Sequence, residues 1–340
     1  MTNRPRERKT AVVVAGSWGL ALSGVLAEHG REVALWTRNE EQVEHINTTR
    51  TSRGFRIAPE IFATASMELA LSDADSVLVV APSASMREIA AQMRPHLPQG
   101  ALLIHATKGF EAHSLKRMSE VLAEELPAFD SERIVALSGP SHAEEVAHRR
   151  PTTVVVASHS LDAAEAAQDL LLLPWFRVYT NPDLIGVEVG GALKNIIALA
   201  AGITDGLQFG DNAKAALLTR GLAEISRLGV AMGANPLTFA GLAGLGDLVV
   251  TCTSKLSRNW KAGHLLAQGK PLPDVLAEVG MVVEGVRTTE SALALARRFD
   301  VRMPIAEQLA QILFAGKPAE SAAEDLMGRS RGSELEEFEL

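Results

Sequence analysis

Residues 12–19 read VVVAGSWG and run straight into LALSGVLAEHG at 20–30. An apolar run, a glycine-bearing turn and a helix-like stretch in that order form the opening of a βα unit. With no side chain, Gly16 would let a pyrophosphate approach the backbone. Gly19 would permit close packing of helix on strand, and unpaired N–H groups at the helix start would face the phosphates. The full G-x-G-x-x-G spacing is broken, because Val14 occupies the first glycine position. Valine resists positive φ, so the turn is expected to keep its path with Val14 extended, the cost falling on ligand affinity rather than on folding. Basic Arg4 to Lys9 ahead of an apolar run imitates a secretory signal. The glycines inside that run, and its passage into Glu28 and Gly30, read as strand, turn and helix instead.

Outward from this turn, short apolar runs at residues 11–15, 32–36, 76–81, 101–107, 133–138, 152–157 and 176–180 alternate with helix-like stretches such as 83–93 and 161–172. That alternation predicts an α/β fold with a mostly parallel, doubly wound sheet. After about residue 181 strand-like runs almost vanish, and residues 190–204 are too apolar for a surface helix, which predicts an all-helical second domain built on that segment. The expected division is residues 1–182, 183–330 and an acidic tail at 331–340. No run other than the N-terminal one reads as long enough to span a membrane.

The 340 residues, 47% of them apolar and 22% charged, suit two globular domains. A net charge of −8 gives no field for nucleic acid or an anionic membrane, so an anionic substrate needs a local basic site. The single cysteine, Cys252, forms no internal disulfide, which suits a reducing compartment. The nine histidines show neither HExxH nor cysteine partners, so no metal site is expected.

At the end of the second strand, where an NAD enzyme carries an acid for the adenosine ribose, the chain has Trp36, Thr37 and Arg38. Arg38 could clamp a 2′-phosphate, with the plainer alternative of a solvated charge; NADPH is therefore expected over NADH, and nearby Glu40 and Glu41 keep NADH possible. Further on, ATKG (106–109) and SGPS (138–141) stand at strand ends, where ligands sit in a parallel sheet. GALKN (191–195), LGDLVVTC (245–252) and SRN (257–259) put polar residues where packing does not ask for them. Ser257 can N-cap a helix running to Gln268, with Arg258 as a charged fork at its start, a combination suited to phosphate.

Taken collinearly, GSWG, ATKG, SGPS, FRVYTNPDLIGVEVGGALKN, TRGLAEISRLG, GLAGLGDLVVTCTS, LSRN and VVEG resemble bacterial NAD(P)-dependent glycerol-3-phosphate dehydrogenases over nearly the whole chain. The resemblance implies a Rossmann domain, a helical substrate domain and reversible reduction of dihydroxyacetone phosphate to sn-glycerol 3-phosphate for phospholipid synthesis. It places Ser17, Trp18, Arg38, Lys108, Ala143, Arg258, Val282 and Glu284 at the cofactor, beside Gly16 and Gly19 of the turn. The substrate would meet Lys108, Gly139, Ser141, Lys194, Asp247, Ser257, Arg258 and Asn259. Lys194 would move the proton, its pKa lowered by apolar surroundings and by Lys108; Asp247, if it reaches Lys194, would orient it and pull the pKa back up. The chain departs from the family over Asn47 to Ala65, where TTRTSRGFRIAPEIFATA (48–65) stands in place of the family's Tyr-Leu-Pro-Gly type sequence. Competing readings are another two-domain hydroxyacid dehydrogenase, which would need a carboxylate clamp, and a non-catalytic nucleotide-binding regulator. A cytoplasmic homodimer with a phosphate-monoester substrate, no nucleic-acid partner and no stable membrane insertion completes the expectation.

Overall fold

The computed structural model describes residues 8–329; the acidic stretch expected as a tail lies outside them. Among the described residues ten strands form: β1 Lys9–Val13, β2 Glu32–Trp36, β3 Thr51–Ser52, β4 Phe55–Arg56, β5 Ile61–Thr64, β6 Ser76–Val79, β7 Leu102–His105, β8 Ile134–Ser138, β9 Thr152–Ala157 and β10 Phe176–Asn181. Eight build one sheet in the order β10-β9-β8-β7-β6-β1-β2-β5, and β3 and β4 pair as a separate hairpin. All neighbours are parallel except β8 and β9.

In the inner strands of the sheet, side chains alternate between two buried faces, which is why those strands read as apolar runs, while the edge strand β10 buries Phe176 and Val178 and exposes Arg177 and Tyr179. Val12, Leu35, Leu78 and Ile104 enter one core with Leu22 and Leu26 of the helix Ser17–Glu28. Ala11, Val13, Ala34, Val77, Val79 and Leu103 enter the other, with Met86, Ile89 and Met93 of the helix Met86–Met93. The sheet order reverses at β1, which lies between β2 and β6, so the carboxyl ends of these three strands form the switch point where parallel sheets bind ligands.

The described residues divide into two compact units, 8–107 with 118–184, and 108–117 with 185–329. One boundary near residue 182 was the simpler expectation. The excursion after β7 joins the second unit because Phe110 is buried in the helical core and Arg117 donates to Glu188 at 2.6 Å, both groups being largely buried. That core surrounds the helix Leu184–Gly206, whose 23 residues do reach membrane-spanning length, as does the apolar stretch Pro236–Thr253. This corrects the expectation that no such run follows the first. Polar Glu188, Lys194 and Asn195 break the apolar pattern in sequence but not the helix, and 89% of its most apolar 18-residue window is buried, as in a core helix.

Val14 also departs from expectation, for its φ is +85° rather than extended. Its N–H donates to the Trp36 carbonyl at 3.0 Å, and its own carbonyl oxygen is so close to Gly19 that a Cβ there would stand 2.2 Å away. The fingerprint geometry is therefore kept by straining a β-branched residue, at a cost of about 1–3 kcal/mol. Val14→Gly is expected to stabilise the fold by about 1 kcal/mol after the added chain entropy is subtracted. Denaturant unfolding reads this directly, and a lower midpoint for the glycine variant would contradict the strain.

In the second unit Glu224 is buried and accepts N–H groups from Ile305 (2.7 Å) and Ala306 (3.4 Å) at the start of the helix Pro304–Ala315. Burial pushes its carboxyl up to about 7; those N–H groups and Arg227 pull it down, and Glu307 adds to the rise. A raised carboxyl binds its proton more tightly when folded, so stability falls as pH rises from the ordinary glutamate value through about 7. Between pH 5 and 8 the wild type should lose more thermal stability than Glu224→Gln; equal slopes would remove Glu224 as the cause.

Candidate functional site

In the first unit, a cavity of about 300 Å³ opens at the switch point, lined by Val14 to Gly16 after β1, Trp36 to Asn39 after β2, and residues from Pro82 onward after β6. Its features fit a dinucleotide. Gly16 has φ −78°, and a Cβ built on it meets nothing within 4 Å, so neither backbone nor protein packing calls for glycine there. The first turn of Ser17–Glu28 has no side-chain cap, which leaves its N–H groups for phosphates. Ser17 and Trp18 are part-exposed on that turn, and Arg38 is exposed on the cavity wall. Gly139 (φ +123°), Ser141 and Ala143 follow β8 in the same unit; the Ser141 hydroxyl donates to the Gly139 carbonyl at 3.0 Å.

In the second unit, Asp247 joins the two lysines. Lys194, on the core helix, donates to Asp247 Oδ1 and to Thr251 Oγ1 at 2.6 Å; Lys108 donates to Asp247 Oδ2 at 2.6 Å. Asp247 is 1% exposed and Lys194 6%, while the Lys108 side chain keeps 20% of its surface. A π-helical turn, Leu242–Gly246, precedes Asp247 and leads into the helix Asp247–Thr253, on which Thr251 lies one turn further along the same face. The Thr251 hydroxyl donates to the Asp247 carbonyl at 2.6 Å, which leaves its lone pairs for Lys194.

The electrostatics follow from burial. Desolvation lowers Lys194 to about 8; Asp247 opposes this, and the Lys108 charge reinforces it. Burial would raise the Asp247 carboxyl, but the two ammonium groups outweigh it and hold the group below the usual aspartate value. Asp247 thus stays an anion between two cations, one of which can lose its proton near neutral pH. Cys252, buried beside this cluster, is pushed up to about 12 by desolvation and remains a thiol.

Ser257 caps the helix Arg258–Ala267, its Oγ accepting from Trp260 N at 3.2 Å, as the sequence predicts. Arg258 is exposed at that helix start with no hydrogen-bond or ion-pair partner among the described residues. Asn259 points inward instead: its Nδ2 donates to Asn195 Oδ1 and its Oδ1 accepts from Gly285 N, both at 2.9 Å. Its carbonyl and one amide hydrogen tie three helices together, which leaves one N–H for a ligand. The crossing is tight, since a Cβ on Gly263 would stand 1.9 Å from the Leu199 carbonyl oxygen. Arg258 is therefore held within one residue of a bond to the neighbour of Lys194. Val282 is exposed and Glu284 part-exposed at the start of the helix Glu284–Phe299, whose Gly285 is anchored by Asn259.

Lys108, Lys194 and Asp247 thus converge in one cluster, with Ser257 and Arg258 on an attached helix. Gly16, Ser17, Trp18 and Arg38 share the other unit with Gly139, Ser141 and Ala143. Sequence reasoning passed over Thr251, although its spacing of four from Asp247 on a helix was a usable signal, and over Arg53, which also lines the cavity.

A glycine turn at the switch point of a parallel sheet, followed by a helical unit with a buried lysine–aspartate pair, defines the class of two-domain pyridine-nucleotide oxidoreductases. Residues 9–164 match the family described as NAD-dependent glycerol-3-phosphate dehydrogenase N-terminus, and residues 183–324 its C-terminus. The chain is 54% identical over 335 residues to glycerol-3-phosphate dehydrogenase [NAD(P)+] of Bacillus subtilis, covering 97% of each. It is 52% identical to the Lysinibacillus sphaericus protein of the same name, over 97% of this chain and 99% of that one. The crystal structure of glycerol-3-phosphate dehydrogenase from Coxiella burnetii superposes with a TM-score of 0.90 at 36% identity, over 96% of this chain and all of that one. The chain belongs to the NAD-dependent glycerol-3-phosphate dehydrogenase family.

Proposed function

We propose that this chain interconverts dihydroxyacetone phosphate and sn-glycerol 3-phosphate with NADPH as the preferred cofactor and NADH as a possible one, feeding glycerophospholipid synthesis. The observation that carries the chemistry is the buried Lys108–Asp247–Lys194 cluster. The nicotinamide, when bound, supplies the hydride acceptor for oxidation and the hydride donor for reduction. In oxidation, Lys194 in its neutral form takes the proton of the C2 hydroxyl as that carbon loses hydride; in reduction, the Lys194 ammonium gives a proton to the oxygen that becomes the alcohol. Asp247 fixes the direction of the Lys194 amine, and Thr251 accepts its second hydrogen bond. Lys108 adds a positive charge where negative charge develops on the substrate oxygen.

Arg258 and the start of its helix suit a phosphate monoester, with Ser257 and the remaining Asn259 amide hydrogen as further donors. Gly16, Ser17, Trp18 and Arg38 hold the cofactor, and Gly139, Ser141, Ala143, Val282 and Glu284 complete the binding set. NADPH oxidation by the purified protein with dihydroxyacetone phosphate, beside hydroxypyruvate as control, tests the reading. Turnover of the phosphate ester and none of the hydroxyacid is expected; the reverse preference would overturn it. A cytoplasmic location and a homodimer are part of the same reading; the exposed Leu237, Leu245 and Val249 of the second unit support the dimer, and light scattering would read its mass.

A further inference from the structure

The stretch at which this chain leaves the family pattern folds into a hairpin, β3 to β4, closed by Arg53 and Gly54. Both turn residues have positive φ, +49° and +83°, the requirement of the two-residue turn that favours Asn, Asp or Gly at its first place. Arginine is therefore not what the turn selects. It lines the same cavity as Arg38, and neither guanidinium has a partner among the described residues. The hairpin is held firmly. Phe55 is buried in the core, and Gln42 donates to the Ala15 carbonyl (2.9 Å) and the Ser52 hydroxyl (3.4 Å) while accepting from Thr37 Oγ1 (3.0 Å). One side chain thus ties the glycine turn, the end of β2 and the hairpin into a common rim.

We propose that Arg53 and Arg38 together clamp the 2′-phosphate of the adenosine ribose, which makes the hairpin arginine a determinant of NADPH over NADH; this rests on the reading that the cavity takes that cofactor. Two cations converge on the β2 side of the cavity. The single acid in its lining, Glu88, comes from the helix after β6 and repels a phosphate from that side. A 2′-phosphate carries nearly two negative charges near neutral pH, and two arginine forks match it in charge and geometry. NADH, with a bare ribose hydroxyl, gives the pair nothing to neutralise.

The test compares wild type, Arg38→Ala, Arg53→Ala, the double variant and Arg56→Ala, the last changing an exposed arginine of the same hairpin outside the cavity lining. Losing one charge-assisted clamp should lower the NADPH-to-NADH ratio of kcat/KM by about 10- to 100-fold. The double variant should fall further than either single one, and titration with 2′,5′-ADP against 5′-AMP should show the same loss. The Arg56 variant should keep the wild-type ratio. The proposal is overturned if Arg53→Ala leaves the ratio unchanged, weakens both cofactors alike, or matches Arg56→Ala. If the wild type reduced dihydroxyacetone phosphate with neither cofactor, the activity reading would fail, and the 2′,5′-ADP titration would still decide the role of Arg53.

Discussion

Lys194→Ala is expected to lower kcat by about 10²–10⁴-fold, the range over which a positioned general acid or base acts. Lys194 is 6% exposed and bonded to Asp247 and Thr251, so solvent does not easily replace it in place or in direction. The substitution does not orphan the carboxylate, because Asp247 keeps its 2.6 Å bond to Lys108. The variant should therefore fold, and its NADPH affinity should stay within about threefold of wild type, roughly 0.6 kcal/mol. Stopped-flow turnover and a fluorescence titration separate the two quantities. Turnover close to wild type would remove Lys194 from the chemistry; loss of turnover together with cofactor binding would mark a structural lesion.

Asp247→Asn should be the most disruptive isosteric change. It leaves two ammonium groups around a neutral amide that can accept from one and turns a donor toward the other. Breaking a buried ion pair from one side costs about 3–5 kcal/mol. Without the carboxylate, which holds Lys194 up against desolvation, the Lys194 pKa should fall further below about 8. For a base depressed on folding, the penalty of burying the cation is full below its folded pKa and lifts as pH rises toward the unfolded lysine value. The loss of stability relative to wild type should accordingly shrink as pH rises to about 8 and level off above it, where Lys194 has lost its proton in both proteins. A variant as stable as wild type at pH 7 would show that the pair carries no such strain.

The seven strands read from the sequence all form: β1, β2 and β6 to β9 carry runs buried on both faces, which leaves an apolar signature, whereas the edge strand β10 exposes Arg177 and Tyr179 and buries only Phe176 and Val178. The edge strand Ile61–Thr64 went unread because four residues behind Pro59 and Glu60 offer too short a pattern. Lys194 was legible as a charge in an otherwise apolar helix, and Ser257 as a cap followed by a helix-like run. The Asp247 contact was conditional, because 53 residues separate it from Lys194 and only the packed helices bring them together. Val14 was misjudged for a physical reason. Its conformational preference argued for extended backbone, while the carbonyl that must pass over Gly19 imposes the turn. Arg53 was hidden in a stretch noticed only for lacking the family sequence; a hairpin with arginine at a left-handed position has no period to read.

The most direct measurement of the proton-transfer centre is the pH dependence of kcat/KM in both directions. It should be taken above about pH 7, where the phosphate ester is already a dianion. With Lys194 lowered to about 8, glycerol 3-phosphate oxidation needs the neutral amine and should rise through that pH to a plateau. Dihydroxyacetone phosphate reduction needs the ammonium, and should be level below that pH and fall above it. In Asp247→Asn both inflections should move to lower pH. Profiles without an inflection near 8, or an inflection unmoved when Asp247 loses its charge, would contradict the assignment of Lys194.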